Sequence, residues 1–175
     1  MTTGTNTSWQ TLVKEEEFNH LLMEWNVKIN LVSRKKTSVL DLIADSRLFF
    51  SEIDFNSKEG VKILDLGTGG GFPGIVIAIH HPEAELVLVD SIQKKINVVT
   101  DVIKRLQLTN AIAICSRAEE LAVKKSPPYE GGDLGEVLHF HKYFDYVVSR
   151  SVAVLQDLCI WSKDLIKPGG KLITV

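Results

Sequence analysis

A glycine-rich turn after a short apolar run is the part of this sequence best suited to bind a ligand. Residues 61–66 are mostly apolar and include Asp65, and residues 67–71 have the sequence Gly-Thr-Gly-Gly-Gly. Glycine has no Cβ, so the backbone can turn sharply there and come close to a ligand. A helix that begins near Pro73 adds unpaired N–H groups. We expect Asp65 to place a carboxylate at the mouth of this site, where it would repel a pyrophosphate and attract a cationic amino-acid group.

Asp90 is the second candidate for chemistry. It ends the next apolar run, residues 86–89, and follows Gly67 at roughly the 20-residue spacing of a ribose-binding acid in nucleotide-binding folds. Asp90 followed by Ser91 would also suit the start of a helix, where both residue types cap well. The two roles can coexist, so both stay open.

The glycine pattern distinguishes two classes of cofactor. Dinucleotide-binding proteins use Gly-x-Gly-x-x-Gly, and Phe72 stands where the third glycine of that pattern would be. The run from Asp65 has the form Asp-x-Gly-x-Gly-x-Gly, which resembles the first loop of S-adenosylmethionine (AdoMet) methyltransferases. An NAD(P)-dependent oxidoreductase is therefore the less favoured alternative. A tight turn between a strand and a helix, without any ligand, is the plain structural alternative.

Alternating strand and helix patterns predict the elements that position these residues. Five short apolar runs predict strands, at residues 61–66, 86–89, 111–115, 146–148 and 171–175. Most of the segments between them have the apolar spacing of helices. Such an order predicts an α/β fold with a doubly wound, mostly parallel sheet. The later helices are predicted at residues 92–106, 118–123 and 154–166, the last one closed by a turn at residues 167–170. Residues 126–142 predict an exposed loop.

The sequence before residue 61 has only helical patterns. An apolar stripe at helical spacing is formed by Phe18, Leu21, Leu22, Trp25 and Ile29. Residues 38–50 predict a second helix. We therefore predict an N-terminal helical extension, residues 1–58, and an α/β core, residues 59–175.

Composition and charge bound the class of protein. The chain has 175 residues, 45% of them hydrophobic, and a formal net charge of −2. This fits one domain with a small extension and excludes global disorder. The longest apolar runs fall far short of the ~20 residues of a membrane span, and the first ten residues lack the features of a secretory signal. Two isolated cysteines, Cys115 and Cys159, are expected to be reduced, buried thiols of a cytoplasmic protein.

Four stretches of the sequence carry a more specific resemblance. They are Trp25, Asn26, Ile29, Asn30 and Leu31; residues 65–74; Leu88, Val89, Asp90 and Ser91 with Lys94 and Lys95; and Ser149, Arg150 and Ala153. In this order they resemble the bacterial glucose-inhibited division protein B family. The resemblance implies a class I AdoMet-dependent methyltransferase, with a Rossmann-like sheet and an N-terminal helical extension. It further implies methylation of a guanine at N7 in 16S ribosomal RNA, with that RNA or the small ribosomal subunit as partner and without a metal or a membrane.

The same resemblance implies a set of cofactor-binding residues. These are Gly67, Gly69, Phe72, Asp90, Ala118, Glu119 and Arg150. The two glycines would admit the methionine part of AdoMet, the carboxylate would accept hydrogen bonds from the ribose, and the alanine and glutamate would line the adenine. Phe72 would pack in the pocket wall. Arg150 would hold either the AdoMet carboxylate or an RNA phosphate, and the sequence leaves both open.

The implied reaction needs no catalytic side chain. Guanine N7 has a lone pair and no proton, so holding the two reactants in line can supply most of the catalysis. Contact with RNA must come from local basic residues because the whole chain is slightly acidic. The candidates are Arg34, Lys35, Lys36, Lys94 and Lys95, with a solvated charged face as the alternative.

The sequence ends inside the last predicted strand. The family continues through another helix and an antiparallel pair of strands, so we expect a truncated form of the protein. A catalytically silent AdoMet- or RNA-binding scaffold is therefore a further alternative.

Overall fold

The structure is a computed structural model that describes residues 8–56, 60–122 and 140–175. In this part of the chain the elements are, in order, α1 (Trp9–Asn26), α2 (Leu40–Ser46), a 3₁₀ helix (Arg47–Glu52), β1 (Lys62–Leu66), α3 (Gly74–His80), β2 (Glu85–Asp90), α4 (Gln93–Arg105), β3 (Ala111–Cys115), α5 (Ala118–Leu121), β4 (Phe144–Ser149), α6 (Leu155–Ser162) and β5 (Ile166–Thr174). Most of the predicted loop at residues 126–142 lies outside the described residues. So does the predicted boundary between residues 58 and 59.

The strands form one parallel sheet in the order β3-β2-β1-β4-β5. The chain moves outward from β1 to β3 and then returns to the other side of β1 for β4 and β5. Strand order therefore reverses between β1 and β4, where a crevice opens at the carboxyl ends of the strands. The predicted α/β, doubly wound parallel architecture is confirmed.

Side chains of the sheet alternate between two hydrophobic cores. In β1, Ile63 packs in the core that also contains residues of α1, α2, α3 and α4. Leu64 and Leu66 pack in the opposite core with residues of α5 and α6. This period of two places residue 65 on the α3 side of the sheet. The near-continuous apolar strands follow from burial on both faces.

Helix α1 shares the core of the sheet and is tied to it by polar contacts. Its Phe18, Leu21 and Leu22 belong to the same buried cluster as the side chains of α3. Buried Glu15 accepts a hydrogen bond from Arg47 Nε at 3.1 Å and pairs with His80 Nε2 at 2.7 Å. The helical extension is therefore an integral layer of the molecule.

Two helix predictions differ from the structure at their ends. Helix α1 ends at Asn26, so Ile29 lies beyond it, although its N–H still donates to the Trp25 carbonyl at 2.8 Å. The predicted helix at residues 38–50 is α2 followed by the 3₁₀ helix. Ile29 and both helices bury apolar side chains in the same core, which is why the apolar stripe extends past the helix end.

The last helix and strand are also divided differently from the prediction. Helix α6 ends at Ser162, and β5 begins at Ile166. Residues 167–170, predicted as a turn, are an irregularity inside β5, where the register with β4 shifts. Pro168 has no N–H for the ladder, and Gly169 adopts φ +85°, so the segment bulges.

The expectation of two buried thiols is wrong, since Cys115 and Cys159 are both exposed. Cys115 is the last residue of β3, which lies at the edge of the sheet. Among residues 8–56, 60–122 and 140–175, no helix is long and apolar enough to cross a membrane. Within the same ranges, no three His, Cys, Asp or Glu side chains are grouped so that they could hold a metal ion.

Candidate functional site

A cavity of about 490 Å³ opens at the carboxyl ends of β1, β2, β3 and β4. Its volume lies within the range of small-molecule sites. The cavity brings together all of the predicted cofactor-binding residues, namely Gly67, Gly69, Phe72, Asp90, Ala118, Glu119 and Arg150. Residues that the sequence analysis did not assign to the site also line it, among them Leu31, Val32, Ser116, Val152 and Trp161.

The glycine loop has backbone conformations that require glycine. Gly69 adopts φ +58° and Gly71 φ +99°, a region that side chains with a Cβ rarely adopt. A Cβ on Gly69 would meet no atom closer than the Gly67 carbonyl oxygen at 3.9 Å. A Cβ on Gly71 would lie 2.6 Å from Cγ1 of Ile75. Gly69 therefore borders open space at the cavity, whereas Gly71 is packed against the core.

Asp65 lies beneath the loop and not at its mouth, so that expectation is wrong. The residue is fully buried, and its Oδ2 accepts hydrogen bonds from Thr68 Oγ1 at 2.7 Å and Gly74 N–H at 2.8 Å. A Cβ on Gly74 would lie 2.6 Å from the same oxygen. Strand alternation directs residue 65 towards α3, and the small size of Gly74 lets the helix approach it. Asp65 thus holds the two ends of the loop together.

The carboxyl group of Asp65 is strongly desolvated. Its Oδ1 is buried and has no hydrogen-bond partner among the described residues. Burial raises the pKa of Asp65 from 3.8 to about 6, although the hydrogen bonds from Thr68 and Gly74 and the positive charge of Arg150 oppose the shift. The negative charge of Asp90 adds to it.

Asp90 combines a local structural role with a position at the cavity. Its Oδ1 accepts the Ile92 N–H at 3.0 Å, directly before α4, and its Oδ2 accepts the Gly69 N–H at 3.1 Å. Lys95 Nζ lies 3.3 Å from Oδ2. Asp90 therefore ties the glycine loop to the start of α4, and it is only 7% exposed. The predicted capping role is wrong in detail, because Ile92 is the N-cap of α4 and Asp90 contacts the N–H of that residue just before the helix.

Arg150 provides a cation in the cavity wall. Its guanidinium carbon lies 4.9 Å from the centroid of the Phe72 ring, and that ring packs 5.1 Å from Phe18. Burial lowers the pKa of Arg150, an effect that the charges of Asp65, Asp45 and Asp41 oppose. The guanidinium stays protonated in any case. A desolvated cation stacked on an aromatic ring is suited to hold a carboxylate or a phosphate.

Ala118 and Glu119 begin helix α5, directly after the carboxyl end of β3. Ala118 is buried and Glu119 is exposed. The Glu120 carboxylate accepts the Arg117 N–H at 3.4 Å, which fixes the first turn. This helix start forms the side of the cavity next to β3.

The basic residues predicted to contact RNA occupy different surroundings. Arg34 and Lys35 are exposed and follow Val32, which lines the cavity. Lys36 forms an ion pair with Asp41. Lys95 is half-buried in the cavity wall beside Asp90. Its neighbour Lys94 is exposed and does not line the cavity.

The doubly wound parallel sheet, with a glycine loop after β1 and an acidic residue at the end of β2, has the fold of the class I AdoMet-dependent methyltransferases. Solved structures share this fold. A coclaurine N-methyltransferase bound to N-methylheliamine and SAH has a TM-score of 0.59 at 12% identity and covers 97% of this chain and 53% of its own. A SAM dependent methyltransferase from Aquifex aeolicus has a TM-score of 0.55 at 19% identity and covers 83% and 70%. At these identities the likeness shows the fold alone.

The family is shown by the sequence itself. A family model described as rRNA small subunit methyltransferase G matches residues 12–175, and the chain belongs to this family. The ribosomal RNA small subunit methyltransferase G of Chlorobium phaeobacteroides is 41% identical over 155 residues, 87% of this chain. That of Chlorobaculum tepidum is 43% identical over 158 residues, 89% of this chain. The chain spans 61% and 64% of the length of these two relatives. The resemblance seen in the four motifs is confirmed.

Proposed function

We propose that this chain binds AdoMet in the cavity and transfers its methyl group to N7 of a guanine in 16S ribosomal RNA. One observation carries the proposal: residues from four separate parts of the sequence, predicted as cofactor-binding from the family resemblance, line one cavity at the point where strand order reverses. The names of the relatives supply the substrate, the RNA of the small ribosomal subunit.

The shape and polarity of the cavity fit AdoMet. The glycine loop leaves open space at Gly69, where the methionine part has room. Asp90 offers carboxylate oxygens to the ribose hydroxyls, and the start of α5 at Ala118 offers backbone groups to the adenine edge. Arg150 supplies a positive charge for the carboxylate of the ligand or for a phosphate of the RNA.

Asp90 must give up one of its present contacts only if it accepts both hydroxyl groups of a ribose. An ionised carboxylate has about four lone-pair positions, and donors from Gly69, Ile92 and Lys95 already approach them. The Lys95 contact is the longest of these, at 3.3 Å, and belongs to a flexible side chain. We therefore expect the Lys95 ammonium to move aside when both ribose hydroxyls donate to Asp90.

The chemistry requires positioning more than proton transfer. AdoMet supplies a methyl group on a sulfonium, so the transfer is an in-line displacement at carbon. Guanine N7 has a free lone pair, so no side chain has to remove a proton from it. The chain holds the acceptor and excludes water with the apolar walls of the cavity, formed by Phe72, Leu31 and Val32.

Exposed basic residues near the cavity are the proposed RNA contacts. Arg34 and Lys35 follow the cavity wall at Val32, and Lys94 lies at the start of α4. Contacts with phosphates release counterions and make binding sensitive to salt. A ribosomal RNA substrate also implies a location in the cytoplasm.

Two measurements test this proposal. Calorimetry with AdoMet, NAD⁺ and NADP⁺ is expected to show one binding site for AdoMet and none for the dinucleotides. Labelled AdoMet is expected to transfer its methyl group to small ribosomal subunits that lack the modification. Binding of a dinucleotide in place of AdoMet would overturn the cofactor assignment. Binding of AdoMet without methyl transfer would favour the silent scaffold.

A further inference from the structure

The side chain of Asn26 holds a loop that forms one wall of the cavity. Asn26 is the last residue of α1 and is only 7% exposed. Its Oδ1 accepts two backbone hydrogen bonds, from the Leu31 N–H at 2.9 Å and from the Val32 N–H at 3.0 Å. Leu31 and Val32 line the cavity, whereas Asn26 does not.

Helix α1, which carries Asn26, is itself held by a hydrogen bond to helix α4. The adjacent Trp25 donates from Nε1 to Asp101 Oδ2 at 2.8 Å, and Asp101 belongs to α4. The Trp25 carbonyl accepts the N–H groups of Lys28 at 2.9 Å and Ile29 at 2.8 Å. A continuous path of packed and hydrogen-bonded groups thus runs from α4 through α1 to the loop.

We infer that Asn26 is a positioning residue that holds Leu31 and Val32 in place as a wall of the cofactor cavity. The inference rests on the proposed function, since it takes AdoMet to be the ligand of that cavity. Residues 27–33 form a connection outside the helices and strands, so the two accepted hydrogen bonds fix its course. The polar contact is made by a side chain that does not face the ligand.

The hydrogen bonds of Asn26 should raise the fraction of molecules in which the loop has the conformation that binds AdoMet. When a site is formed in only a fraction of the molecules, the apparent dissociation constant rises by the inverse of that fraction. Removal of both hydrogen bonds leaves two half-buried N–H groups to find other partners and favours other loop conformations. We therefore expect Asn26→Ala to weaken AdoMet binding roughly tenfold.

Two further variants separate positioning from a general effect on α1. Asn26→Asp keeps the oxygen acceptors and should restore affinity to within about twofold of the parent. Asn19→Ala is the matched control, because Asn19 lies on the same helix as Asn26 and also accepts two hydrogen bonds. Its Oδ1 accepts the Val39 N–H at 2.8 Å and the Ser38 hydroxyl at 3.1 Å. Neither Ser38 nor Val39 lines the cavity. Asn19→Ala should therefore lower stability and leave AdoMet affinity unchanged.

The experiment measures AdoMet affinity by calorimetry, stability by urea unfolding, and hydrogen exchange at the amides of Leu31 and Val32 by NMR. The inference is supported if Asn26→Ala accelerates exchange at both amides and weakens binding, while Asn26→Asp does neither. It is overturned if Asn26→Ala exchanges quickly but binds AdoMet as tightly as the parent. It is also overturned if Asn19→Ala weakens binding equally. If the parent chain binds no AdoMet, the proposed function is refuted and this inference with it. In the other two outcomes the parent still binds AdoMet, so only the inference about Asn26 fails.

Discussion

The buried carboxyl group of Asp65 makes the stability of the glycine loop depend on pH. Its pKa is raised from 3.8 to about 6 because burial penalises the charged form. The folded chain therefore binds this proton more tightly than the unfolded chain, and stability falls as pH rises from about 4 to 6. The raised pKa corresponds to roughly 3 kcal/mol of unfolding free energy.

The substitution Asp65→Asn should remove this dependence, since the amide oxygen can still accept from Thr68 and Gly74. The unfolding free energy of the parent should decline relative to that of Asp65→Asn between about pH 4 and pH 6, as measured by urea unfolding at each pH. If the unfolding free energies of the two proteins change in parallel with pH, the pKa of Asp65 is not raised by burial.

Gly69 and Gly71 differ in what a side chain would meet, so they form a matched pair. Gly69→Val places its side chain in open space at the cavity and should abolish AdoMet binding. The left-handed backbone costs about 1–2 kcal/mol of stability, so the fold should persist. Gly71→Val should lower stability further, because its Cβ would lie 2.6 Å from Ile75 Cγ1. Calorimetry and thermal unfolding measure the two effects, and unchanged affinity in Gly69→Val would refute the placement of AdoMet.

Asp90→Ala is expected to reduce both affinity and stability. Removal of the ribose acceptor should weaken AdoMet by roughly 1–3 kcal/mol. The Ile92 and Gly69 N–H groups are also left without their acceptor, so the melting temperature should fall. If Asp90→Ala lowers the melting temperature but leaves the AdoMet dissociation constant unchanged, Asp90 does not bind the ribose.

At the scale of elements, the segment of Arg34, Lys35 and Lys36 joins the cavity wall to α2. Replacing all three with alanine should leave AdoMet binding intact and weaken binding to small subunits. The slope of log affinity against log salt should flatten by about one unit for each phosphate that the variant no longer neutralises. Because Lys36 pairs with Asp41, we expect a change of about two units. Filter binding across a salt series measures the slope, and equal methylation by the parent and the variant at ~0.2 M salt would identify these residues as a solvated face.

The elements that sequence periodicity predicted well are those whose burial follows a strict period. Helix α4 was predicted at residues 92–106 and spans Gln93–Arg105, because one face of it packs on the sheet. The start of α1 at Trp9 carried no periodic signal, since Trp9 and Val13 are exposed. Ser8 nevertheless begins the helix by accepting the Thr11 N–H at 3.2 Å. The bulge in β5 was not predicted because proline and glycine, here Pro168 and Gly169, are common in turns as well as in β-bulges.

At the scale of the whole molecule, the sequence predicted the cavity residues that follow strands and missed those that come from elsewhere. Asp90 is the last residue of β2 and Arg150 directly follows β4, so topology alone brings them together. Leu31, Val32 and Trp161 reach the cavity through the packing of α1 and α6. Periodicity does not report this packing, although Leu31 belongs to the first motif of the family resemblance. Asp65 was misplaced because its neighbours suggested a ligand contact, whereas strand alternation turns it towards α3.

Mass mapping of 16S RNA measures the proposed methyl transfer from the cavity at the level of single nucleotides. Small subunits that lack the guanine N7 modification are incubated with AdoMet and either the parent chain or Gly69→Val. We predict one added methyl group on a single guanine with the parent and none with the variant. Unmodified RNA with a parent that binds AdoMet, or equal methylation by both proteins, would rule out methyl transfer from this cavity.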